Sequence, residues 1–254
     1  MCPETSRRAF ALCPPTSRWQ APGAAMRFPT VILTLAALTS TACDINLGEE
    51  AESTAKGNQQ ILAIGDSFLD YHGPGADLPY VVAGSLEMTL ESAAIGGTTM
   101  LGGEGPDIPN QYVDGSFDLL IASGGGNDFA SCTCGEDCGP VLDALISEDG
   151  TEGAVPALVS RAIDGGAKVA WVGYFRPMDN DNEFSACVGE LDTYRARLAT
   201  LAGAEDDMVF VDGVEYGSGS EDHLYDEDGY HPSEEGSAIL GAVVAASVSE
   251  AFGF

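Results

Sequence analysis

The sequence predicts an α/β domain in which a central, mostly parallel five-stranded sheet lies between two helical layers, a three-layer α/β/α sandwich. Two observations carry this expectation. Five short apolar runs alternate with segments of helical spacing, the pattern of strands joined by crossover helices. The runs are apolar at consecutive rather than alternate positions, as strands buried on both faces are.

Residues 60–64 (QILAI) end in Gly65 and form the first strand, feeding a turn. Residues 79–88 (PYVVAGSLEM) have helical spacing, with Pro79 at the start, where a missing N–H is harmless. Residues 90–95 form a second strand closed by Gly96-Gly97. Residues 117–123 (FDLLIAS) form a third, closed by Gly124-Gly125-Gly126. A helix over 153–164 stops at Gly165-Gly166, and residues 168–174 (KVAWVGY) are the fourth strand. Residues 190–202 make an amphipathic helix and 208–211 the fifth strand. A final Ala/Val-rich helix covers 233–252, with Ser233 as N-cap and Glu235 in its first turn. Nothing repeats, and nothing suggests a second core, so residues 60–254 form one domain.

Composition narrows the possibilities. The chain has 254 residues, with 10 Lys+Arg against 40 Asp+Glu and a formal net charge of -30. Such a field repels phosphate backbones and excludes nucleic acid as a partner. No apolar run reaches the roughly 18 residues that a membrane span needs. A soluble, strongly acidic globular protein remains.

The first 43 residues serve addressing. Residues 1–25 lack periodic apolar patterning, and Met26 begins MRFPTVILTLAALTSTAC, which reads as an export signal and marks Met26 as a candidate start. Ser40-Thr41-Ala42-Cys43 fits a bacterial lipobox, with Cys43 lipidated, although Ser40 stands where an aliphatic residue is usual. It fits small-x-small cleavage equally well. Residues 44–59 would then be an acidic, polar tether. The protein is expected to be periplasmic or extracellular, either free or anchored through Cys43. Without residues 1–43 the chain carries 6 basic and 39 acidic residues, hence -33. Both a saline habitat and an ordinary acidic exported protein fit that balance.

Four cysteines remain after the leader: Cys132, Cys134, Cys138 and Cys187. An even number in an oxidising compartment argues for two disulfides. Cys132–Cys134 is disfavoured because one intervening residue strains the bridge. We expect one local bridge into Cys138 and one long staple to Cys187. Zinc is the rival reading, weakened by the lack of a nearby His.

Chemistry-bearing residues gather at strand ends, where open α/β sheets bind ligands. Gly65-Asp66-Ser67 follows the first strand and exposes a serine on a tight turn. Asp228-Gly229-Tyr230-His231-Pro232 precedes the last helix. A nucleophilic serine needs a base, and the base needs a carboxylate to hold its tautomer. Of three histidines, only His231 has an acid three residues before it; His72 and His223 read as loop residues. Gly97 and Asn127 follow the second and third strands. A glycine N–H approaches a substrate closely, and an asparagine amide is a donor, both suited to a developing oxyanion.

Gly65-Asp66-Ser67, Gly97, Asn127 and Asp228-x-x-His231 occur in the order of the four blocks of the SGNH hydrolases, the GDSL esterases and lipases. The chain resembles that family over about residues 60–240. The resemblance implies a flavodoxin-like three-layer fold and a serine hydrolase of esters or thioesters that needs no metal or cofactor. Ser67 would be the nucleophile, His231 the base and Asp228 its orienter. The Ser67 N–H, the Gly97 N–H and the Asn127 side chain would form the oxyanion hole. Phe68 stands where the motif has leucine, and the Gly/Pro-rich segment after Ser67 delays the first helix. Residues 131–140 would wall the pocket. Asp179–Glu190 imitates a calcium loop but has Phe184 where glycine is required, so it reads as a solvated acidic loop. Arg176 reads as an ion-pair partner.

The expected substrate is a small ester or an acylated glycan, and the expected state is a monomer. Three functions fit: an esterase, lipase or thioesterase; a polysaccharide deacetylase; or a catalytically silent surface lipoprotein. An intact triad speaks against the last.

Overall fold

The five apolar runs pair side by side, all parallel, in the order β2–β1–β3–β4–β5. The strands are β1 (Gln60–Ile64), β2 (Thr89–Ser92), β3 (Leu119–Ala122), β4 (Lys168–Val172) and β5 (Met208–Val211). The computed structural model describes residues 60–102, 107–115 and 117–254. The leader, the tether and Cys43 lie outside them.

Register places Ile61 beside Leu119, and Leu62 beside Leu120. Successive strand residues therefore face opposite helical layers. Leu62, Ile64, Leu120, Val169 and Trp171 point into one core, with the helices α3 (Gly139–Leu145), α4 (Ala154–Asp164) and α5 (Val188–Ala202). Ile61, Ala63, Leu119, Ile121 and Val172 point into the other, with α1 (Leu78–Leu86) and α6 (Glu234–Phe252). Burial on both faces explains the unbroken apolar runs of β1, β3 and β4, whereas β2, at the sheet edge, is mostly exposed. Each fully buried aliphatic side chain contributes about 1.5–3 kcal/mol. Within α4, Val155, Leu158, Val159 and Ala162 share one face at helical spacing, and all are buried.

Helix α6 begins as expected: Ser233 caps it by accepting the Gly236 N–H. It departs from one expectation, because its 19 residues are long and apolar enough, by length and composition, to cross a membrane. Its apolar face is spent on the core instead. Leu240, Val244 and Val248 are fully buried, and a Cβ at Gly241 would lie 2.7 Å from Val81 Cβ. Glycine there lets α1 and α6 pack closely.

Other elements are shorter than their apolar patterns. The second strand leaves regular pairing after Ser92 rather than Ile95. The Ala93 and Ile95 N–H groups still bond to the Ala63 and Gly65 carbonyls while the chain turns toward Gly96. The third strand ends at Ala122 and the fourth at Val172, since their last residues bend away to build the site. The first helix runs over Leu78–Leu86, so Met88 lies beyond it, and it starts late, as the Gly/Pro-rich segment implies. The short helices α2 (Ile108–Gln111) and α3 were not anticipated.

Two disulfides are present, Cys132–Cys138 and Cys134–Cys187. They match the expected local bridge and long staple, and they take all four sulfurs away from the thiolate role that zinc would require.

Candidate active site

Gly65 turns the chain out of β1 with φ +156°, and a Cβ there would stand 2.6 Å from the Ser123 carbonyl oxygen. Only glycine fits so tight an exit. The turn is held from below by Gln111 on α2, which accepts the Gly65 N–H at 2.7 Å and donates to the Gly65 carbonyl at 3.0 Å. Beyond it, Asp66 is buried and accepts the Phe68 N–H at 3.0 Å and the Tyr174 hydroxyl at 2.6 Å. Burial pushes the Asp66 carboxyl above its ordinary range, and those donors pull against the shift.

Ser67 Oγ lies 2.7 Å from His231 Nε2, and His231 Nδ1 lies 2.6 Å from Asp228 Oδ2. Asp228 Oδ1 accepts the backbone N–H groups of Tyr230 and His231, at 3.1 and 3.0 Å. Burial would raise the Asp228 carboxyl, but the hydrogen bonds from His231 and Tyr230 hold it below the usual carboxylate range. An ionised carboxylate only accepts, so Nδ1 carries the proton and Nε2 is left to accept from Ser67. That is the arrangement a serine hydroxyl needs for its proton to be removed.

The donors expected around the oxyanion gather near Ser67. A Cβ on Gly96 would meet Ser67 Cβ at 3.6 Å, which places the Gly96-Gly97 turn against the serine. Among the described residues, no acceptor takes the backbone N–H of Ser67 or of Gly97. Asn127 opens the turn after β3 and donates one amide hydrogen to the Thr98 carbonyl at 2.9 Å, leaving the second free. Buried Asp128 secures the same loop by accepting the Met100 and Leu101 N–H groups at 2.8 and 2.9 Å.

Ser67, Asn127 and His231 line one cavity of about 30 Å³, walled by Phe68, Tyr174, Phe175 and Phe184. Beside it, sharing Asn127 and Phe184, is a more open hollow of about 360 Å³, bounded by Phe129 and the disulfide-bonded Cys132, Cys134 and Cys187. The cysteine-rich insert thus forms a wall next to Asn127.

Of the histidines set aside, His72 stands close by, its Nε2 2.9 Å from the Pro232 carbonyl, while His223 offers its carbonyl to Ser233 Oγ at 2.7 Å. Arg176 forms the expected ion pair, its Nη2 donating to both carboxylate oxygens of Asp192 at 2.7 Å. Sequence reasoning passed over Gln111, Tyr174 and Tyr71, whose partners lie far away along the chain.

The profile of the GDSL-like lipase/acylhydrolase family matches residues 63–239. No curated protein matches by sequence. Among solved structures, the chain is similar to a carbohydrate acetylesterase family member from Sinorhizobium meliloti. The two share 17% identity and a TM-score of 0.59, over 77% of this chain and 100% of that one. A carbohydrate esterase family 2 enzyme from Corynascus thermopiles (Myceliophthora fergusii) gives 17% identity and 0.56, over 77% of this chain and 67% of that one. An aryl esterase from M. smegmatis gives 18% and 0.50, over 76% and 100%.

Proposed function

Because the chain belongs to the GDSL-like lipase/acylhydrolase family, the SGNH hydrolases, and is a carboxylic-ester hydrolase, we propose that it works through an acyl-enzyme on Ser67. His231 Nε2 takes the Ser67 proton as Oγ attacks the ester carbonyl carbon. The oxyanion is received by the N–H groups of Ser67 and Gly97 and by the Asn127 amide. The imidazolium, steadied by Asp228, returns the proton to the departing alcohol. Water then attacks the acyl-enzyme, giving its proton to His231, and as the Oγ–acyl bond breaks the imidazolium returns that proton to Ser67 Oγ and the acid leaves. The supporting observation is the unbroken chain from Ser67 Oγ through His231 to Asp228, at 2.7 and 2.6 Å.

Hydrolysis of p-nitrophenyl acetate, butyrate and octanoate by the native protein and by Ser67→Ala tests this. We expect kcat/KM to fall by about three orders of magnitude or more in the variant. Equal turnover by both proteins would sink the assignment.

A second reading, removal of acetyl groups from polysaccharide, is favoured by the cavity. The cavity at Ser67 is the smaller of the two and the neighbouring hollow that shares Asn127 and Phe184 is the larger, an arrangement that suits a short acyl group beside a bulky alcohol. Acetate preference in the same assay, with acetate released from acetylated xylan, supports it; an octanoate preference removes it.

The enzyme is proposed to act outside the cytoplasm. The export pattern in residues 26–43 supports this, as do two disulfides of the kind that persist in oxidising compartments.

A further inference from the structure

The chain after the nucleophile does not enter a helix directly. It is gathered by Asp77, a buried carboxylate whose Oδ1 accepts the N–H groups of Tyr71 and His72, at 3.1 and 2.8 Å, and whose Oδ2 accepts that of Gly73 at 2.9 Å. The loop so fixed reaches back to the segment that carries His231. His72 Nε2 donates to the Pro232 carbonyl. The Tyr71 ring lies over the His231 imidazole, with centroids 4.0 Å apart and planes 20° from parallel. Its hydroxyl donates to Asp228 Oδ2 at 3.0 Å.

Core packing does not account for this ring, which is 41% exposed. It meets the His72 ring edge-on and otherwise contacts the base and the carboxylate that orients the base. Asp228 receives two donors on each oxygen: Tyr230 and His231 N–H on Oδ1, and His231 Nδ1 and Tyr71 on Oδ2. A carboxylate held at four points cannot swivel. Burial, together with the Asp228 hydrogen bond and charge, pushes the Tyr71 hydroxyl up to about 12, so it stays a donor at neutral pH. The π-face also favours imidazolium over imidazole, the form that His231 takes when it receives the Ser67 proton.

From this geometry we propose that Tyr71 is a positioning residue for hydrolysis: it locks Asp228, aligns His231 toward Ser67, and supports the positive charge that His231 gains during reaction. The proposal rests on the Ser67–His231–Asp228 reading above.

The test compares Tyr71→Phe, which keeps the ring and loses the hydroxyl, with Tyr71→Leu, which loses both. Native protein and Ser67→Ala are run alongside. On p-nitrophenyl acetate we expect kcat to fall about three- to tenfold in Tyr71→Phe and about 30- to 100-fold in Tyr71→Leu, with KM within about twofold. The inactivation rate with diethyl p-nitrophenyl phosphate, which reports serine attack without an acyl group, should fall in the same order. An intact kcat with a raised KM would make Tyr71 a substrate platform and overturn the proposal, as would no change in either constant. Full activity in Ser67→Ala would remove the triad and this inference together. If Tyr71→Leu does not fold, Tyr71→Phe alone decides.

Discussion

Where the chain leaves β4, the Tyr174 hydroxyl donates to Asp66 Oδ2 at 2.6 Å and accepts the Gly126 N–H at 3.0 Å. It ties the turn that carries Ser67 to the turn that carries Asn127. Tyr174→Phe keeps the ring but leaves Asp66 short of a donor and the Gly126 N–H unpaired. We expect urea unfolding to show a loss of about 2–4 kcal/mol. The deficit should grow with pH. The folded-state pKa of Asp66 is already raised by burial, so its ionisation weakens the fold as pH climbs from the ordinary carboxylate range through the raised value. Losing the Tyr174 bond raises that pKa further. An unchanged urea midpoint at every pH would refute this. Such residues were illegible in the sequence for a physical reason: Tyr174 sits 108 positions from Asp66, and Tyr71 sits 157 from Asp228. Ser67 and His231, the proposed nucleophile and base, stood out because Gly65 and Pro232, which punctuate strand and helix ends, lie within two residues of them.

At the level of elements, β1, β3 and β4 were readable because both of their faces are buried, and a continuous apolar run closed by glycine has few other uses, whereas the edge strand β2 is largely exposed. Their far ends were not, since apolar character persists past the last paired residue into the loops that shape the pocket. The short helices α2 and α3 hide for another reason: so few turns show no period, and α2 is tied in by just two buried residues, Ile108 in the core and Gln111 at the Gly65 turn. Cys134–Cys187 joins the segment after Asn127 to the start of α5, bridging 53 positions. Replacing both cysteines by serine should cost about 2–4 kcal/mol through freedom returned to the unfolded chain. The loss should be absent when native protein and variant are compared under strong reductant. Equal unfolding midpoints without reductant would show that the staple adds nothing.

Across the whole molecule, the side chains proposed for catalysis lie beyond the carboxyl ends of parallel strands, while the segment proposed for addressing lies at the other extreme of the sequence. The two parts can be tested apart. Intact mass of protein recovered from an exporting bacterial host should show a chain beginning at or next to Cys43, with added diacylglyceryl mass if the lipobox reading holds. A retained residue 1–43 segment would refute export processing. Neither the lipid nor the cleavage point was decidable from sequence, because Ser40-Thr41-Ala42 satisfies both patterns.

The proposed nucleophile and its proposed base are 164 positions apart, and His231 is delivered by the loop leading into α6, which closes against α1. A partial chain that ends before His231 lacks the proposed base altogether. On that reading an unfolded chain, including one in transit under the proposed export, is chemically silent, and turnover awaits the docking of the loop that carries His231. Recovery of turnover after dilution from denaturant is accordingly a clock for that closing event, whereas recovery of the sheet alone would leave the ester untouched.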